Sequence, residues 1–226
     1  MRGYFVTATG TDIGKTYVSA GLLAAWRAQG LSVDATKPLM SGFAEDALEQ
    51  SDAGRLLTAM GRKVTPASVS EICLHRLAPP IAPNVAMRRA GIVQDYAEIK
   101  GFVERRLSAP KDFHLVEGAG GVMSPLTDDS LQIDLMADLQ LPIILVSAPY
   151  LGSISHTLTA IDALRIRGLQ IVALVISEVV SDSENNSDRL LEFIQEINRF
   201  RDVPLFPVGH GEGVNSLVLS ILQQSA

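Results

Sequence analysis

The sequence has little of what would tie it to a disulfide framework, a nucleic acid or a membrane. Of its 226 residues only Cys73 is a cysteine, so no intramolecular disulfide can form and a cysteine-rich metal site is not expected. A single thiol of this kind reads as a small buried side chain. No apolar run approaches the roughly 18 residues of a membrane span. A basic excess is missing too. The 19 Lys and Arg against 25 Asp and Glu leave a net charge of −6, which argues against a nucleic-acid-binding surface but allows a local basic pocket for phosphate. Nor is a secretory leader expected, because Met1-Arg2-Gly3-Tyr4 runs straight into an expected strand without an apolar h-region or a small-residue cleavage site. A cytoplasmic location is therefore expected. Repeats, low-complexity tracts and linkers are absent as well, so residues 1–226 are read as one domain.

What is present begins with residues 4 to 16. Tyr4-Phe5-Val6 is a short apolar run, a loop of small residues follows, and Gly14-Lys15-Thr16 opens a stretch of helical composition from Tyr17 to Gln29. Strand, tight loop and helix are the context of a phosphate-binding loop. Glycines let backbone wrap an anion, and the N–H groups and positive dipole end of the helix attract it. Lys15 is placed to reach the β- and γ-phosphates, and the Thr16 hydroxyl to meet Mg²⁺. The generic motif is incomplete, since Thr9 stands at its first glycine position.

The remaining segments alternate. The first helix carries Ala20, Leu23 and Ala24 on one face and stops at Gly30; Leu31 to Thr36 is a strand ending at Lys37-Pro38. Asp46 to Met60 reads as one helix, with Asp52 inside it. Residues 61 to 93, with Pro66, Pro79, Pro80 and Pro83, read as irregular, and Ala78 to Asn84 as a loop. Gln94 to Ser108 has an apolar stripe of Ile99, Val103 and Leu107. The strand Phe113 to Glu117 ends in an acid and turns on Gly118-Ala119-Gly120-Gly121. Such an acid sits near Mg²⁺ and the γ-phosphate in phosphate-loop proteins. A helix from Leu131 to Leu139, strands at Pro142 to Val146 and Ile171 to Ile176, a helix ending at Arg167, a polar loop from Asp182 to Asp188, a helix from Arg189 to Phe200, a strand at Val203 to Phe206 and a helix from Val214 to Leu222 complete the chain. The alternation predicts an α/β fold, doubly wound, with a mainly parallel sheet covered by helices on both faces and like that of P-loop NTPases.

Five segments in order, Gly14-Lys15-Thr16, Lys37-Pro38-x-x-Ser41-Gly42, Ser51-Asp52-Ala53, Val116-Glu117-Gly118-Ala119-Gly120-Gly121 and Leu151-Gly152-Ser153-Ile154-Ser155-His156, make the chain resemble the dethiobiotin synthetases over nearly its whole length. The resemblance implies an ATP- and Mg²⁺-dependent enzyme of biotin biosynthesis that closes a ureido ring on 7,8-diaminononanoate with CO₂ or bicarbonate. It implies a carbamate, then a carbamic-phosphoric anhydride, in a homodimer whose substrate lies at the subunit interface. By position, Lys37, Lys15 and Thr11 are then expected to be catalytic. Asp12, Ser41, Gly152, Ser153 and Ser155 are expected to bind substrate, the last three from the neighbouring subunit. Nucleotide would be held by Asp12 to Tyr17 (Asp12, Ile13, Gly14, Lys15, Thr16, Tyr17), by Asp52, by Glu117, Gly118, Ala119 and Gly120, and by Ser177, Pro207, Val208 and Gly209. Thr16, Asp52 and Glu117 offer hard oxygen ligands for Mg²⁺.

Three positions depart from the family's usual residues: Ala8 for Gly, Gly10 for Asp, and Ser177 for an Asn that reads adenine. Asp12 stands for the family's usual Glu. The alternatives are a partitioning-type ATPase, which would carry an additional lysine near the loop's start where this chain has Ala8-Thr9-Gly10, and a nucleotide-dependent switch protein, which would leave Lys37 and Ser41 idle.

Overall fold

The computed structural model describes residues 2–177, 186–209 and 214–223. In chain order the elements are β1 (Arg2–Ala8), α1 (Lys15–Ala28), β2 (Val33–Thr36), β3 (Leu39–Ser41), a 3₁₀ turn (Leu48–Gln50), α2 (Asp52–Ala59), α3 (Pro66–Ile72), β4 (His75–Leu77), α4 (Pro83–Arg89) and α5 (Tyr96–Leu107). They continue with β5 (Phe113–Glu117), α6 (Gln132–Leu139), β6 (Ile143–Ser147), α7 (Ser153–Ile166), β7 (Ile171–Ser177), α8 (Asn186–Phe200), β8 (Leu205–Val208) and α9 (Asn215–Gln223). Six strands form one sheet in the order β2-β5-β1-β6-β7-β8, and every recorded pairing in it is parallel.

The pleat explains the two cores. Alternate residues of a strand face opposite sides, so Tyr4, Val6 and Ala8 join one apolar cluster with α1, α2 and α9, while Phe5 joins the other with α5, α6, α7 and α8. Strands covered on both faces must be apolar throughout, as Ile143 to Val146 are. The interior of α1 is Val18, Leu22, Leu23 and Trp26. Ala24, expected on that face, is exposed, because the larger Leu22 and Trp26 four residues apart take the stripe.

Two expectations are corrected. The helix expected from Asp46 to Met60 is broken: after the 3₁₀ turn, Ser51 is extended and its Oγ accepts from Gly54 N at 3.1 Å, restarting the chain as α2. The turn lies so close that a Cβ on Gly54 would stand 2.0 Å from Leu48 O. Residues 61 to 93 hold α3, β4 and α4 instead of irregular chain. Pro66 and Pro83 open helices rather than breaking them, since proline in the first turn lacks only an N–H that would be unpaired there anyway. Between them β4 pairs in parallel with β3, Ser41 opposite Leu77. Of the polar loop expected at residues 182–188, residues 182–185 lie outside the described residues, and Asn186 already begins α8.

Candidate active site

The sheet order brings together residues far apart in sequence. Strand β5 lies between β1 and β2, with Glu117 opposite Val6 and Val116 opposite Thr36. The carboxylate ending β5, the lysine just after β2 and the loop just after β1 therefore meet at one end of the sheet. In open α/β sheets ligands bind beyond the carboxyl ends of the strands.

In the loop, Asp12 has φ 56° and Gly14 φ 101°, left-handed conformations that cost a glycine nothing. Gly14 is also closed in by Ser177, whose Oγ would lie 2.6 Å from a Cβ there. Lys15 folds back over the loop, and its Nζ donates to Gly10 O at 3.0 Å. Ala8 ends β1 and Gly10 has no positive φ; a Cβ on Gly10 would meet only Ile13, at 3.7 Å. Neither departure in the loop demands an unusual backbone.

Lys37 is 2% exposed. Its Nζ donates to Glu117 Oε1 at 2.7 Å and to Gly118 O at 3.0 Å, and pairs with Asp52 Oδ2 at 2.8 Å. Burial works against its charge, but the Glu117 and Asp52 carboxylates more than offset it and raise its pKa above the ordinary lysine value. For Asp52, burial favours the neutral acid and Lys37 outweighs it, so its pKa is lowered. Thr16 Oγ1 lies 2.9 Å from Asp52 Oδ1 and 2.8 Å from Glu117 Oε1. One hydroxyl proton cannot fully serve two carboxylates, and Glu117 Oε2 is buried with no partner. A cation among these oxygens would satisfy both. Among the described residues no group of three or more His, Cys, Asp or Glu could hold a metal ion by itself, so Mg²⁺ here would need the Thr16 hydroxyl, phosphate oxygens and water to complete its shell.

Lys37, Asp52 and Thr16 line a cavity of about 380 Å³, whereas Glu117 is fully buried behind Lys37 and does not line it. Lys15, Thr16, Lys37 and Asp52 form its charged end, with Thr11, Asp12, Gly14 and Tyr17 from the loop and α1, Ser41 from β3, and Ala119 and Gly120 from the turn after β5. Ile13 is buried in the core, and Gly118 contributes its carbonyl to Lys37. Met40, Gly42, Phe43, Gln50, Ser51 and Arg55 also line it, and none was expected as a site residue, although Gly42 and Ser51 stand in the segments that carry the resemblance. Arg55 stands three residues after Asp52 on α2, a helical neighbour, and that spacing was the available signal.

A family model described as an AAA domain matches residues 2–208. The ATP-dependent dethiobiotin synthetase BioD of Caulobacter vibrioides is 48% identical over 79% of this chain and 80% of its own. That of Phenylobacterium zucineum is 42% identical over 96% and 94%. The chain belongs to the dethiobiotin synthetase family. A ParA family ATPase from Chlorobium tepidum is similar in fold alone, with a TM-score of 0.52 at 15% identity over 98% of this chain and 89% of that one. The partitioning-type alternative is thus not favoured, and the chain is an ATP-dependent enzyme of the synthetase family.

Not all residues that the synthetase resemblance singled out reach the cavity. Gly152 and Ser153 line a separate one of about 420 Å³, between the turn after β6 and α8. Ser153 is buried, its Oγ accepting from Tyr150 N at 3.1 Å, whereas Ser155 is exposed. Ser177 and Val208 are paired at the ends of β7 and β8, with Pro207 and Gly209 on either side of Val208.

Lys15 gives a pH test. Burial, and then the neighbouring Lys37 charge, lower its pKa to about 8 despite the nearby carboxylates. Bound phosphates would hold it protonated. ATP affinity is therefore expected to be flat below pH 8 and to fall above it, by up to about tenfold per pH unit. Calorimetry in buffers of different ionisation enthalpy should show proton uptake on binding above pH 8 and little below. An affinity flat to pH 10 would mean that Lys15 does not meet the phosphates.

Proposed function

We propose that this chain forms dethiobiotin from 7,8-diaminononanoate, CO₂ and ATP with Mg²⁺, and that residues 1–226 act as one catalytic domain. The observation that carries the reading is the pair of lysines, Lys15 and Lys37, in one cavity with Thr16, Asp52 and Ser41. The switch alternative leaves Lys37 and Ser41 without work, and the partitioning alternative lacks its additional lysine at Ala8-Thr9-Gly10.

In this reading a substrate amine loses a proton and bonds to CO₂ as a carbamate. A carbamate oxygen attacks the γ-phosphorus and ADP leaves. The second amine then attacks the carbamoyl carbon, and phosphate leaves as the ring closes. Lys15 and Lys37 oppose the negative charge gathering on the transferred phosphoryl and the carbamate. To do so Lys37 must exchange a carboxylate partner for the carbamate; Thr16, Asp52 and Glu117 would hold Mg²⁺, whose charge would stand in for the ammonium that Asp52 and Glu117 give up. Thr11 and Ser41 donate hydrogen bonds to anionic oxygens, and Asp12 holds a substrate ammonium. Phosphate release should require both diaminononanoate and bicarbonate; release independent of either would support a switch protein instead.

The same reading makes the enzyme a homodimer. Gly152 and Ser153 line a different cavity from Lys37 within one chain, which supports their serving the substrate from a second copy. The turn they occupy carries a fully exposed Leu151, and among the described residues no helix is long and apolar enough to cross a membrane. Ser155 is the better residue to block, because Ser153 is built into the turn. Lys37→Ala and Ser155→Trp proteins, each inactive alone, should regain roughly a quarter of normal activity after subunit exchange in equal amounts, since half the dimers then have one intact site. No recovery despite proven exchange would place the whole site in one subunit.

A further inference from the structure

The turn after β5 places two backbone groups at the site, and two side chains outside the cavity hold it. Gly118 N donates to Val6 O and Val122 N to Ala8 O, both at 3.0 Å. Between these anchors Ala119 N donates to Gln132 Oε1 at 3.0 Å, and Gly121 N to Ser124 Oγ at 2.7 Å. The two braces are themselves joined, since Gln132 N donates to Ser124 O at 2.8 Å. The neighbouring Gly120 N–H has no recorded partner among the described residues, and Gly120 lines the cavity. Gly118 presents its carbonyl to Lys37 Nζ.

We propose that Gln132 and Ser124 are positioning residues for the reaction: they fix this turn so that the Gly118 carbonyl orients Lys37 and the Gly120 N–H is ready for an anionic oxygen in the cavity. The packing leaves the turn no slack. A Cβ on Gly118 would lie 3.1 Å from both Gln132 Cδ and Phe5, and one on Gly120, at φ 71°, would lie 2.2 Å from Ser124 Oγ. Gln132 is 1% exposed and its Nε2 has no partner. Burying an unpaired donor costs stability, and an apolar side chain would fill the same space without that cost. What the amide supplies is Oε1, the acceptor for Ala119. Dipoles held in place before the reaction stabilise developing charge without reorganising, which is what a fixed turn provides.

The proposal rests on the reaction proposed above, and its test separates the two. Gln132→Met keeps the volume and removes the acceptor. Its kcat for dethiobiotin formation is expected to fall by about ten- to a hundredfold, with the Kd for ATP within about threefold of the parent. Ser124→Ala should move in the same direction. Ile133→Val, one residue along α6 and equally buried, is the stability control. It should lower Tm by the loss of one buried methyl group while keeping kcat. Apart from any turnover, the Ala119 amide should exchange with solvent at least about tenfold faster in Gln132→Met, and not in Ile133→Val. A Gln132→Met protein with parental kcat, or with unchanged Ala119 exchange, would overturn the proposal. A parent chain that makes no dethiobiotin yet shows the exchange difference would overturn the reaction instead and leave the brace standing.

Discussion

Replacing Lys37 with alanine is expected to lower dethiobiotin formation by at least about a hundred- to a thousandfold, the usual effect of removing one preorganised group that stabilises transition-state charge. Nucleotide binding should largely survive. Lys37 holds Glu117 Oε1 and Asp52 Oδ2 within 2.7 and 2.8 Å, and these are the oxygens proposed for Mg²⁺. Taking the ammonium away frees them for the metal and removes the competitor. The same change should also weaken the fold. Glu117 is fully buried, and a buried ion pair that loses one partner typically costs about 3–5 kcal/mol. The lower end applies, because Asp52 is 42% exposed at its side chain and water can take over part of its solvation. Thermal melts with and without Mg²⁺ and ATP measure both effects at once: the variant should melt lower alone and recover much of the difference when the ligands are present. Turnover near that of the parent would remove Lys37 from the chemistry.

Adenine selectivity is expected to be weak, with GTP and CTP used within about tenfold of ATP. Serine at position 177 carries one short hydroxyl, whereas an asparagine would offer a donor and an acceptor together. By analogy with base reading in nucleic acids, a two-point match contributes roughly 1–3 kcal/mol of discrimination, on the order of ten- to a hundredfold. The structure adds a second reason. Ser177 is 5% exposed and its Oγ lies against Gly14, beneath the phosphate loop, and it does not line the cavity. The triphosphate, held by the loop and Lys15, should therefore supply most of the affinity. Ser177→Asn should sharpen the preference for ATP, provided the longer side chain reaches past Gly14. The measurement is kcat/KM for the three nucleotides in both forms. A parent enzyme that already prefers ATP by a hundredfold would show that backbone at Pro207 to Gly209, paired alongside Ser177, reads the base.

The two lysines show where the sequence was sufficient and where it was not. Lys15 was legible because its neighbours in sequence are its neighbours in space: strand, loop and helix are contiguous, and local spacing fixes the loop. The alternation of apolar strands and helices fixed the parallel, two-faced sheet for the same reason. The break of the Asp46 to Met60 segment at Ser51 was not legible, because it depends on how closely Gly54 packs under Leu48. Nor were α3 and α4, whose prolines mark helix starts only once the flanking chain is placed. Lys37, Asp52 and Glu117 could be singled out one by one, but the Lys37–Glu117 distance follows from strand order, and that of Asp52 from where α2 packs. Only the insertion of β5 between β1 and β2 sets the acid against both lysines, and strand order is decided by long-range packing on the two faces of the sheet. The brace at Gln132 belongs wholly to that second category, since its acceptor meets Ala119 through a turn whose course the sequence leaves open.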